Sequence, residues 1–256
     1  MLIGYDYVFA LSSPAREGGN RRALVPVTLM AIAAHPGDAL FTMGGAIAQH
    51  VEGGGRGVFV SLTLGEKGAP ANIPVDRYGE MQRVASLKAA KMLGAEFELL
   101  TYPDAEIPFK DQAALAVCDM VRQYKPEIVI THWGGSWHKD HQNCHLLVRD
   151  ALFYSDLSAM NRKHPPHTVR KLFFADNWED ADNFKPDTYL DITNVADRWL
   201  KACDAYPMWR GQTGFFRYND YYSSLAVMRG CLSGFGHAIA LMSDPSGRVN
   251  RVETLL

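Results

Sequence analysis

Two short stretches of this chain hold the residue types that bind metals and move protons. The first is His35-Pro36-Gly37-Asp38; the second runs from Thr131-His132 through His138-Lys139-Asp140-His141 to His145. A histidine and an aspartate three residues apart in a tight turn can reach one ion. A third donor from the histidine-rich stretch would complete a catalytic zinc shell, which uses three protein ligands and leaves one position for water. Zinc brings the pKa of such a water down to about 7, so hydroxide exists at neutral pH. The competing reading of the same residues is a hydrogen-bonded loop cluster without metal.

The flanking sequence supplies elements able to position these groups. Val27–Ala34 is almost wholly apolar, as a strand buried on both faces should be, and it runs directly into His35. Residues 57–62 form a second apolar run ending before Gly65-Glu66-Lys67-Gly68. Tyr78 to Leu93 reads as an amphipathic helix closed by Gly94. A strand at 97–100, a helix at 113–124 and a strand at 127–131 follow, with later strands at 172–174 and 188–190 and a helix at 196–206. Strands alternating with helices predict an α/β fold: a Rossmann-like, mainly parallel sheet with helices on both faces. In such sheets ligands bind beyond the C-terminal strand ends, where both histidine stretches fall. Residues 1–26 are expected to form an arm and 27–256 one domain; the aromatic, glycine-containing tail from Pro207 resists assignment.

Composition narrows the function. With 256 residues, 47% hydrophobic and 21% charged, the chain can bury a globular core. A formal net charge of -2 gives no basic surplus for nucleic acid or an anionic membrane. No apolar run is long enough to span a bilayer. The four cysteines are scattered without a C-x-x-C pair and read as reduced thiols, consistent with a cytoplasmic protein.

The order of motifs resembles the LmbE-like, or PIG-L, family of zinc-dependent N-acetylglucosamine deacetylases. Ala34-His35-Pro36-Gly37-Asp38-Ala39 precedes Met43-Gly44-Gly45, then Thr63-Leu64-Gly65-Glu66-Lys67-Gly68, Ala89-Ala90-Lys91-Met92-Leu93-Gly94, Pro103-Asp104-Ala105 and His138-Lys139-Asp140-His141. The resemblance covers residues 27–145 and implies zinc held by His35, Asp38 and His141. It implies His138 as the group that stabilises or protonates the intermediate, with Asp140 orienting it. Glu66 and Trp137 are candidate substrate contacts. The family's general-base aspartate falls on Gly37, which has no side chain, and Leu40 replaces the acidic residue that usually follows. The family's Arg-x-x-Glu is also missing from its helix, where Gln82 and Ala85 stand nearest. The leading expectation is a zinc-dependent hydrolase of an amide on an N-acetylated sugar or similar small molecule, forming a trimer or hexamer, with its base displaced. The alternatives are a metal-bearing binding protein and a diverged enzyme of lyase or glycosidase type.

Overall fold

A computed structural model describes residues 26–180, 182–211 and 215–247, so the expected arm at 1–26 lies almost wholly outside the described residues. The run expected at 27–34 forms β1 (Thr28–Ala33), every residue of it buried. It is followed by α1 (Pro36–Glu52), β2 (Arg56–Ser61), α2 (Val75–Leu93), β3 (Glu96–Leu99), α3 (Asp111–Tyr124) and β4 (Ile128–His132). Then come α4 (Lys139–Asp156), β5 (Lys171–Ala175), β6 (Thr188–Asp191), α5 (Ala196–Cys203), α6 (Tyr218–Ser233) and β7 (Ala238–Ser243).

The strands form one sheet in the order β3-β2-β1-β4-β5-β7-β6. β1 pairs in parallel with β2 and β4, β2 with β3, and β4 with β5; only β7 runs antiparallel, to both β5 and β6. This is the expected mainly parallel α/β fold, closed at one edge by an antiparallel pair. One face packs on α1, α2 and α5 through a cluster that includes Leu40, Phe41, Trp199 and Tyr206. The other packs on α3 and α4 through Val117, Val121, Leu147 and Val148. Burial on both faces is why β1 is a continuous apolar run rather than an alternating one.

Two local features set the site. Pro36 is the first residue of α1, where a missing N–H costs nothing, so the helix begins at once and the metal-binding candidates occupy its first turn and N-cap. Gly44 and Gly45 let α1 press on its neighbours: a Cβ would lie 3.0 Å from Trp199 Cδ1 at Gly44 and 3.0 Å from Ile239 Cγ1 at Gly45. The Trp199 indole then donates to the Leu40 carbonyl at 2.8 Å, tying α5 to α1. The sequence reading had no helix at 139–156, yet α4 spans it, with buried Cys144, Leu147, Val148 and Ala151 on one face. The unassigned tail supplies α6 and β7. Among the described residues no helix is long and apolar enough to cross a membrane.

Candidate metal centre

The strand order reverses at β1, between β2 and β4, and a crevice opens there beyond the strand ends. His35 caps α1 from the end of β1, while His138 caps α4 beyond the end of β4. The two helix starts therefore face one another, and a cavity of about 320 Å³ lies between them.

Three atoms meet on the cavity floor. His35 Nδ1 lies 2.9 Å from Asp38 Oδ2, His141 Nε2 lies 3.0 Å from the same oxygen, and the two ring nitrogens are 3.3 Å apart. Donors bound tetrahedrally at zinc distances of about 2.0 Å stand roughly 3.3 Å from one another, so the triangle suits one small divalent ion. The far nitrogens carry the partners a metal-binding imidazole requires. His35 Nε2 is 3.0 Å from Asp104 Oδ1, and His141 Nδ1 is 2.9 Å from Glu179 Oε2. Asp140 is wholly buried, neither carboxylate oxygen has a hydrogen-bond partner, and Oδ2 lies 3.6 Å from His35 Nε2. Asp38, Asp104, Asp140 and Glu179 thus converge on His35 and His141, an excess of buried negative charge that a cation offsets. The donor set fits zinc.

Titration reflects this charge. Burial opposes protonation of His35, but hydrogen bonds with Asp104 and Asp38 and the nearby Asp140 carboxylate outweigh it and raise its pKa well above the ordinary value. Burial likewise works against His141, yet the charge of Asp38 and hydrogen bonds to Asp38 and Glu179 lift it to about 9. Burial would raise Asp38, but His141 and His35 hold it well below the carboxylate range. Burial and the neighbouring His141 push His138 down. Asp180, one residue beyond Glu179, is raised to about 8, chiefly by burial.

The remaining expected residues fall as follows. His138 Nδ1 accepts the backbone N–H of Asp140 at 3.2 Å, its ring stacks on His141 at 4.5 Å, and it lines the cavity. The Asp140 carboxylate faces His35, so what joins Asp140 to His138 is this backbone bond. Glu66 sits behind the floor: its Oε1 accepts the amide of Asp104 at 2.8 Å and fixes the loop that presents Asp104 to His35. Trp137 is 59% exposed and lies beside the cavity-lining His138 and Trp178. His132 is structural, since its Nε2 accepts the Ala34 amide at 3.0 Å. His145 Nδ1 donates to the His132 carbonyl at 3.0 Å, away from the floor.

Gly37 lies in the first turn of α1, and its φ is not positive. A Cβ there would sit 3.3 Å from Phe41 Cε2 and 3.5 Å from Met208 Sδ. The wall at this position is therefore apolar. Sequence reasoning missed Glu179, Trp178, Met208 and Tyr218 on this cavity, because they lie in the connections after β5 and in the tail, where no spacing marks them. Asp104 stood in a quoted motif without a role.

Comparison with known proteins agrees with the fold. The chain is 28% identical over 211 residues to the 4-oxalmesaconate hydratase of Pseudomonas putida, covering 78% of this chain and 79% of that protein. It is 23% identical over 233 residues to the diacetylchitobiose deacetylase of Thermococcus kodakarensis, covering 85% and 83%. The crystal structure of the 4-carboxy-2-hydroxymuconate hydratase from Pseudomonas putida KT2440 superposes with a TM-score of 0.79 at 22% identity, over 90% of this chain and 99% of that one. Residues 30–152, which hold His35, Asp38 and His141, match the model of the PIG-L family, GlcNAc-PI de-N-acetylase.

Proposed function

We propose that the chain is a zinc-dependent enzyme of lyase type that adds water to, or removes it from, a conjugated carbon–carbon double bond in a small oxo acid. His35, Asp38 and His141 would hold the ion, which when bound supplies a Lewis acid to polarise a carbonyl and activate water. The observation that carries this reading is the wall at Gly37.

In the scheme that the resemblance implies, amide hydrolysis divides two proton transfers between two groups. One proton leaves the attacking water and another reaches the departing amine. The resemblance assigns the first task to an aspartate at this position, where Gly37 meets Phe41 and Met208 instead. Hydration has no leaving group. The water oxygen bonds to one alkene carbon, the electron pair moves toward the carbonyl, and the proton ends on the other carbon. One imidazole that takes the proton and returns it is enough, and His138 lines the cavity to do so. Asp104 and Glu179 keep His35 and His141 oriented throughout. The hydratase relative supports this choice.

A second reading is deacetylation of a neutral N-acetylated sugar. It is favoured by the diacetylchitobiose deacetylase relative and by Lys67, a lysine lining the cavity, whose Nζ is bound to Glu106 at 2.5 Å and so less free to pair with an acid. Zinc-loaded protein should be given conjugated oxo acids, followed by loss of absorbance, and N-acetylated sugars, followed by acetate release. Absorbance loss without acetate supports hydration; acetate alone overturns it.

A further inference from the structure

Beside the cavity two indoles form a corner. Trp137 and Trp178 have ring centroids 5.8 Å apart and planes at 74°. Trp137 stands beside His138 at 5.9 Å, and Trp178 lines the cavity. Trp178 is half-buried with one side against the core, whereas Trp137 is 59% exposed. An exposed indole beside a cavity offers a flat apolar face on which a ring can stack.

The corner is built rigidly. The loops after β4 and β5 are joined by an isolated antiparallel bridge between Ser136 and Asp180, and the Trp137 amide donates to the Glu179 carbonyl at 3.1 Å. The Trp133 indole donates to the Asp182 carbonyl at 2.7 Å, pinning the same two loops. Behind, Phe216 stacks on Trp178 at 4.2 Å with planes at 22° and holds that ring in place. Glu179, between the loops, also supports His141. The corner and the metal centre are therefore fixed relative to each other.

We propose that this corner is a subsite for a flat aromatic ring on the substrate, whose polar end occupies the cavity. A ring lying on one indole presents its edge to the other, so a single aryl group obtains an offset face contact and an edge-to-face contact together. The edge of a sugar ring instead carries hydroxyls, which would be set against an indole face without an acceptor. The inference rests on this cavity being the substrate site; it concerns the group that the substrate carries, not which bond reacts.

The test is binding, which separates it from the choice of reaction. Zinc-loaded full-length protein is titrated with benzamide, acetamide and N-acetylglucosamine while the indole N–H resonances of its five tryptophans are followed by NMR. Benzamide should bind about tenfold more tightly than acetamide, as two ring contacts allow. In Trp137→Ala that advantage should fall below about threefold, and Trp137→Phe should restore most of it. The other four indole signals report whether each variant is folded. An advantage below about threefold in the native protein, or one unchanged in a folded Trp137→Ala, overturns the proposal. Tighter binding of N-acetylglucosamine than of benzamide overturns it in favour of a sugar subsite.

Discussion

Gly37→Asp restores a carboxylate where the family resemblance expects the general base. Glycine is not required by the backbone, because residue 37 is helical and its φ is not positive. Replacing a helical glycine recovers part of about 0.5–1 kcal/mol, and an acid in the first turn adds roughly 0.3–1 kcal/mol. Against this, the new Cβ lies 3.3 Å from Phe41 Cε2 and 3.5 Å from Met208 Sδ. The approach to Met208 is ordinary contact, so it is Phe41, hemmed in by Trp209 at 4.8 Å and Tyr206 at 5.5 Å, that must give way by a few tenths of an ångström. These effects nearly cancel, and stability should stay within about 1 kcal/mol of native. A positioned base is worth about 10²- to 10⁴-fold, so acetate release from N-acetylglucosamine or diacetylchitobiose should rise by up to that factor. Hydration should fall as the carboxylate intrudes on the wall. The assay is steady-state acetate release by both proteins after thermal melting and metal analysis. A folded, zinc-loaded variant with no gain on any N-acetyl substrate refutes the idea that only the base separates this site from a deacetylase.

Three further outcomes follow. His141→Ala should abolish stoichiometric zinc, and Glu179→Gln should weaken zinc affinity by about 10- to 100-fold; competition with a chelator measures both, and unchanged zinc content in His141→Ala would remove it from the ligand set. Arg122 is 1% exposed and donates to the carbonyls of Tyr154, Ser155, Leu157, Met160 and His164, clamping the end of the helix that begins at His138. Arg122→Met strands those carbonyls and should cost about 3 kcal/mol or more, a fall of roughly 6–12 °C in Tm, whereas a fall under about 2 °C would show that water replaces the guanidinium. Cys231 is exposed, while Cys118, Cys144 and Cys203 are buried, with the Cys144 thiol pushed up to about 12 by burial. A thiol reagent at neutral pH should therefore modify one cysteine quickly in the native protein and four after denaturation; rapid loss of two or more would contradict the packing.

His35, Asp38 and His141 were legible because each follows a strand or opens a helix in a parallel sheet, and topology alone brings such positions together. The apolar runs of β1, β2 and β4 were legible for the same reason, being buried on both faces. The antiparallel pairing of β7 with β5 and β6 was not, because Ala238–Ser243 follows an aromatic tail whose pattern fits no single period. α4 was hidden because its first turn holds His138 to His141, which read as loop chemistry. Glu179 and Trp178 lie after β5 with no spacing to link them to His141, and only the bridge between Ser136 and Asp180 reveals the connection. For Glu66, the sequence placed the carboxylate near the site but could not tell a substrate contact from support of Asp104.

Absorbance of a conjugated oxo acid, recorded with zinc-loaded protein beside His138→Ala, tests the central claim most directly. Native protein should bleach the conjugated band with no acetate released from N-acetylated sugars. His138→Ala should keep its zinc and lose about 10²-fold or more of that rate, as expected when the acid–base group is removed. Bleaching that survives in zinc-loaded His138→Ala, or acetate release as the native activity, would contradict it.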